Sequence, residues 1–310
     1  MAARSTAFGL DVESELPLAL LDASAARATA RTLAVSLRPG ARCSWPAPDE
    51  LLCEDRQADG SLIYEVRAHH HAGYLIAGPH YGAHMLSTDG RLLVCDPEGL
   101  PDASWQRLLI AQVLPFAAVL QGLEVFHASA VVLDGQAVAF VGPSRAGKTS
   151  VALELCRRGA GFLADDVLAL EPRAGALVGH PGSPLAGLDR AEAERAPDGL
   201  AAAEILGENS RELLVRTQAA AAPAPLGALF FLERRADGPA QPRFEPLADA
   251  GALLGATFNF ILASPRRLLG LLDVCALAAQ RRVERVLAGP AVDAAQLGAA
   301  VTRRLQEEAA

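Results

Sequence analysis

The chain has 310 residues, 51% of them hydrophobic and 21% charged, enough to bury one large core or two modest ones. Its net charge of −8, without a dense run of Lys or Arg, excludes a general nucleic-acid binder. Five cysteines, scattered and never spaced C-x-x-C, fit reduced thiols rather than a disulfide framework or a zinc site. The longest apolar run, Leu108 to Leu120, is broken by Gln112 and Pro115 and is too short to span a bilayer. With no basic-then-apolar leader pattern at the N-terminus, the expectation is a soluble cytoplasmic protein with no membrane partner.

Residues 1–60 are weakly patterned and carry prolines at Pro17, Pro39, Pro46 and Pro48. From Ser61 to Asp96 the runs "SLIYEVRA", "GYLIAG" and "RLLVCD" are separated by turn residues such as Thr88-Asp89-Gly90, which predicts strands. "DASWQRLLIAQVLPFAAVLQG" then predicts a helix up to Gly122. Residues 1–122 therefore read as a small α+β module ahead of a second domain, 123–310. The histidines His69, His70, His71, His80 and His84 make a poor chelate, because contiguous strand residues alternate faces. They read as turn-exposed polar residues.

The second domain opens with two apolar strands, "EVFHASAVVL" and "QAVAFVG", joined by Asp134-Gly135, a strong two-residue hairpin signal. A helix is predicted from Lys148 to Arg158, stopped by Gly159. "GFLADDVLAL" reads as one strand with two carboxylates in its middle. "PLGALFFLERR" reads as a buried strand and "RFEPLAD" as a shorter one. Helices follow over Ala248–Leu262, from Ser264-Pro265, and over Val292–Gln306, and Ala219–Pro225 reads as a loop.

Between the second strand and its helix, Gly142 to Thr149 fits G-x-x-x-x-G-K-[ST]. Lys148 is the only lysine in a chain with twenty-seven arginines. A compact ammonium on a flexible stem suits a tight phosphate cradle, where a planar guanidinium does not. The nucleotide-binding candidates are Gly142, Pro143, Ser144, Arg145, Ala146, Gly147, Lys148, Thr149 and Ser150. In such a loop the backbone N–H groups and the helix dipole face the phosphates. Lys148 reaches the β- and γ-phosphates, and the Thr149 hydroxyl binds Mg²⁺. Arg145, where a glycine is common, either donates towards the γ-phosphate or points into solvent.

Asp165 and Asp166 follow, and adjacent strand residues point to opposite faces, so the two cannot share one role. One holds Mg²⁺ or accepts a proton from an attacking hydroxyl. His127, with Ser129 on its face by alternation, is by itself most often structural.

The stretch "HASAVVLDGQAVAFVGPSRAGKTSVALELCRRGAGFLADDVLAL" resembles the core of HPr kinase/phosphorylase and of the wider HPr-kinase-like serine kinases. The likeness is specific from Glu124 to Leu170. "PLGALFFLERR" with "FEPL" resembles the C-terminal half of stand-alone members of that group. The resemblance implies an α/β fold, a phosphoenolpyruvate-carboxykinase-like P-loop core binding ATP and Mg²⁺, after the N-terminal module. It also implies catalytic roles for Asp165, Asp166, His127 and Lys148. Asp165 would be the general base, Asp166 would join Thr149 beside the metal, and His127 would support the acceptor side. Which Asp takes which role depends on strand register.

The chain departs from the family in lacking an "RGLG"-type signature and a "PVRPGRN"-like basic loop. "GENSRELLVR", with Arg211 and Arg216, is the nearest substitute. The expected activity is thus a kinase without the phosphorylase reaction, acting on Ser of a peptide or protein other than HPr. Two alternatives stay open: a kinase acting on a small-molecule alcohol, and a catalytically silent ATP-binding module serving a partner. Homo-oligomerisation, a property of true HPr kinases, is left open by the same departures.

Overall fold

The computed structural model describes residues 2–15, 18–21, 29–47, 50–97, 104–190, 205–208, 212–217, 220, 222–247, 249–257 and 265–307. The protein is a mixed α/β chain with three sheets. It divides into two compact units, Met1–Val125 with Phe258–Leu268, and Phe126–Thr257 with Leu269–Ala310.

The first unit holds an eight-stranded sheet. Residues 1–60 are not featureless, as their pattern suggested, but supply four of its strands: β1 (Ala3–Ala7), β2 (Leu10–Ser14), β3 (Thr32–Leu37) and β4 (Glu50–Arg56). The sheet is completed by β5 (Leu62–His69), β6 (Gly73–Gly78), β7 (Gly82–Leu86) and β8 (Leu92–Asp96). Strands β4 to β8 form an antiparallel meander, whereas β3 lies parallel to both β2 and β8. Parallel pairing between distant segments leaves no local turn signal.

His84 corrects the expectation of exposure. It is buried on β7, with Nδ1 3.3 Å from Cys95 Sγ, and burial pushes its pKa down to about 4. His70 and His71 do lie exposed at the β5–β6 turn. The helix after β8 comprises α1 (Ser104–Leu108), a π-helical turn (Leu109–Val113) and α2 (Leu114–Leu120). Pro115 in the first turn of α2 has no N–H to donate, which explains a widened turn just ahead of it.

The remaining strands are β9 (Glu124–Phe126), β10 (Ala128–Leu133), β11 (Gln136–Val141), β12 (Gly161–Ala164), β13 (Leu168–Arg173), β14 (Ala176–His180), β15 (Leu185–Asp189), β16 (Ile205–Glu208), β17 (Glu212–Arg216), β18 (Ala224–Arg234), β19 (Arg243–Pro246) and β20 (Arg282–Ala288). The remaining helices are α3 (Lys148–Arg157), α4 (Ala250–Gly255), α5 (Pro265–Ala279) and α6 (Ala294–Gln306), with a 3-10 turn at Ala41–Ser44. Strands β15, β17 and β16 form a small separate sheet.

Within the nine-stranded sheet, neighbours run β12-β10-β11-β18, with β20 on the far side of β18. The β10–β11 hairpin turns through Asp134 (φ 50°) and Gly135 (φ 77°), the paired positive angles that its Asp-Gly sequence predicts. Along β11, Ala137, Ala139 and Val141 pack into one core cluster and Val138 and Phe140 into another, as two-residue alternation requires. Strand β18 lies parallel to both β11 and β20 and is covered on both faces, hence its continuous run Leu229-Phe230-Phe231-Leu232.

Two sequence expectations change here. "GFLADDVLAL" is not one strand: β12 ends at Ala164, β13 starts at Leu168, and the two acids occupy the turn between them. The helix expected over Ala248–Leu262 is α4, six residues long, while Ala248 and residues 258–262 lie outside the described residues. Ser264, Arg211 and Ala219 also lie outside them.

Candidate functional site

The phosphate-loop sequence sits between a buried strand, β11, and a helix, α3, anchored by Val151, Ala152 and Leu155. Its glycines have physical reasons. A Cβ on Gly142 would stand 2.6 Å from the Leu232 carbonyl oxygen, and Gly147 takes φ 96° as the residue before the helix. The first turn of α3 lies at the positive end of the helix dipole, the geometry that suits an anion. Arg145 takes φ 66°, the left-handed path glycine would use, with its side chain exposed.

Lys148 is only 6% exposed, yet charged. Its Nζ donates to the carbonyl oxygens of Gly142 (3.0 Å) and Pro143 (3.3 Å), so the ammonium is held inside its own loop. Burial lowers its pKa, and Asp166 and Asp165 work against that.

Asp165 is the hub of the site. Its Oδ1 accepts from Ser129 Oγ (2.5 Å) and Thr149 Oγ1 (2.8 Å), and its Oδ2 accepts from the Gly187 N–H at 2.9 Å. Three strands and the helix therefore meet at one carboxylate. Burial, then the neighbouring Asp166 charge, pushes its pKa up to about 6 despite these three donors.

Asp166 is exposed and takes φ 59°. The Val167 N–H donates to the Asp165 carbonyl across it at 2.7 Å, closing a three-residue turn. A non-glycine residue in this region stores strain, and such strain gathers at functional sites. The turn also answers the register question. The acids part because the chain reverses, which turns Asp165 inward to Thr149 and leaves Asp166 outside. The carboxylate beside the Thr149 hydroxyl is thus Asp165, where the family carry-over had put Asp166.

His127 occupies the bend between β9 and β10, and its N–H donates to the Ala256 carbonyl at 2.7 Å. It does not share a strand face with Ser129 as alternation suggested. His127 is exposed, yet the surrounding protein and the Lys148 ammonium lower its pKa, while the Asp166 carboxylate opposes them.

Sequence reasoning missed Arg234, the residue that ends β18. Its Nε donates to the Ala146 carbonyl (3.3 Å) and its Nη1 to the carbonyls of Gly289 (3.1 Å) and Val292 (2.6 Å). The guanidinium thus ties the phosphate loop to the turn between β20 and α6. Its signal was present in "FFLERR": ligands of parallel sheets gather at the carboxyl ends of strands, and Arg234 ends the strand beside β11. Gly187, which contributes only a backbone N–H, left no such signal.

The oxygen set of Thr149 and Asp165 fits a hard divalent cation such as Mg²⁺, which takes one or two carboxylates and completes its shell with phosphate oxygens and water. The caged ammonium and the N-terminal end of α3 fit a triphosphate.

No family model matches the chain, and no curated protein matches it. Among solved structures it is similar to an HPr(Ser) kinase/phosphatase from Coxiella burnetii, at 16% identity and a TM-score of 0.31, covering 59% of this chain and 98% of that one.

Proposed function

We propose that this chain transfers the γ-phosphoryl group of ATP to a hydroxyl, on an HPr-kinase-like P-loop core. The observation that carries the reading is the 2.8 Å hydrogen bond from Thr149 Oγ1 to Asp165 Oδ1, beside a buried Lys148 held by its own loop. It unites a nucleotide-loop hydroxyl and a strand-end carboxylate in the pair that a phosphate-bound divalent cation requires.

In this reading Lys148 leaves the two loop carbonyls for the β- and γ-phosphate oxygens and offsets their charge. Thr149 and Asp165 would hold Mg²⁺. What the metal supplies there is neutralisation of charge on the phosphate oxygens. Asp166, exposed at the strained turn and close in charge to His127 and Lys148, accepts the proton of the acceptor hydroxyl. The acceptor oxygen bonds to the γ-phosphorus, the bond to the β,γ-bridging oxygen breaks, and ADP leaves with that electron pair. His127 orients the hydroxyl. This reverses the roles that family position gave the two acids. The expected acceptor is Ser of a peptide or protein.

The test is transfer from γ-labelled ATP to seryl peptides and to small alcohols, in wild type and in Lys148→Ala and Asp166→Asn. The reading expects Mg²⁺-dependent labelling in wild type and a loss of at least a hundredfold in each variant. Full transfer by both variants would overturn it. Nucleotide binding by the wild type with no transfer to any acceptor would favour the silent ATP-binding module instead.

A further inference from the structure

A pocket of about 360 Å³ opens beside the phosphate loop, and none of the chemistry above occupies it. Its wall includes Gly142 and Pro143 on the loop side, His127 opposite, Phe231 of β18, and Ala252 and Gly255 of α4. All belong to the same compact unit. Resting on the kinase reading, we propose that this pocket receives the acceptor, and that it selects a hydroxyl carried between uncharged, apolar groups.

Position is the first reason. The carbonyls of Gly142 and Pro143 are the two that hold the Lys148 ammonium, the group that meets the β- and γ-phosphates. A cavity walled by these same residues opens at the γ end of a bound triphosphate, where an attacking oxygen must stand for in-line displacement. His127 faces it, with Asp166 close enough to influence the ring's protonation.

Chemistry is the second. Among the described residues, His127 is the one ionisable side chain in the lining. A carboxylate or guanidinium flanking the acceptor would find no opposite charge among these lining side chains, whereas an apolar flank would rest on Val141, Phe231 and Ala256. At the low end of the size range of ligand pockets, the cavity takes a short extended segment or a small alcohol.

Gly255 is the third. It closes α4 in helical conformation, where glycine is a weaker helix former than alanine. No left-handed angle calls for glycine at this position, and an added Cβ would meet nothing within 4 Å. Among the described residues, neither backbone geometry nor packing requires glycine at 255. What its bareness provides is room in the pocket, alongside the small Ala252 one turn earlier.

The experiment uses the full chain, γ-labelled ATP, and blocked peptides with a central Ser flanked by Ala and Leu, by Glu, or by Arg. Propane-1,2-diol serves as the small-alcohol arm. In the wild type, the apolar-flanked peptide or the diol is expected to show a KM at least tenfold below the charged peptides, and the stronger of the two identifies the acceptor's source. Gly255→Leu should raise that KM at least tenfold while nucleotide Kd stays within twofold, and Gly255→Ala should do so by a smaller factor. The proposal is overturned if charged peptides are preferred, or if a folded Gly255→Leu leaves the acceptor KM unchanged. It is equally overturned if a charged peptide is labelled while neither apolar-flanked acceptor is. Failure of the kinase reading itself is distinguishable: no acceptor of any kind, charged peptides included, would then be labelled, whether or not nucleotide binds.

Discussion

Asp165→Asn should make the nucleotide-free protein more stable at neutral pH while removing transfer activity. Burial and the Asp166 charge raise the Asp165 carboxyl from its ordinary 3.8 to about 6, so the fold favours its neutral form. Its contribution to stability is fully present below about pH 4 and is lost as the pH rises through about 6. At 1.36 kcal/mol per pH unit, the loss amounts to about 3 kcal/mol. Asparagine has no charge to lose. Its amide oxygen still accepts from the Gly187 N–H, and its amide nitrogen donates to the Ser129 and Thr149 hydroxyls, which can accept as well as donate.

The quantity to follow is the difference in stability between wild type and Asp165→Asn, measured by calorimetric unfolding from pH 4 to pH 8 without metal or nucleotide. The difference should grow in favour of the variant by about 3 kcal/mol over that range. At an unfolding entropy of about 2.1 cal/mol/K per residue, that is a relative Tm change of roughly 5 °C for this chain length. Titrating groups distant from Asp165 are common to both proteins and cancel. A difference constant within about 0.5 kcal/mol across the range would refute the claim that a costly buried charge is held at this position.

Arg234→Ala should weaken nucleotide binding about tenfold without abolishing it, because three carbonyls that position the loop lose their charged donor at about 1.4 kcal/mol in total effect; titration with a fluorescent ATP analogue reads this directly. Gly142→Ala should distort the loop through its 2.6 Å approach to the Leu232 carbonyl, so that nucleotide binding falls at least tenfold in a chain whose circular dichroism is unchanged. Acidification should charge buried His84. Because its pKa is lowered to about 4, the stability it confers is present above pH 6.5 and lost as the pH falls through 4, and His84→Gln should flatten that part of the acid-unfolding profile.

What was legible in the sequence is what local chemistry writes. Asp134-Gly135 could form little but a tight hairpin, and the glycine loop with its single lysine was readable from the residues alone. The site's second half was less so. Period-two reasoning placed Asp165 and Asp166 on opposite strand faces, but alternation holds only inside a strand, and β12 ends one residue earlier. The hydrogen bonds drawing Asp165 inward come from Ser129, Thr149 and Gly187, separations of 16 to 36 residues that no local pattern encodes. Strands β1 to β3 were hidden for a related reason. Their buried positions, such as Leu10, Val12, Leu33 and Val35, alternate with polar neighbours over five or six residues, and β3 finds its partners at a distance.

Phosphorus NMR of ATP with stoichiometric protein most directly tests whether Lys148 and the Thr149–Asp165 pair grip a metal-bound triphosphate. The account predicts that the β- and γ-phosphorus signals shift and broaden with Mg²⁺, lose most of that change on adding EDTA, and stay at their free positions with Lys148→Ala. Signals that remain at their free positions in the wild type with Mg²⁺ would contradict it.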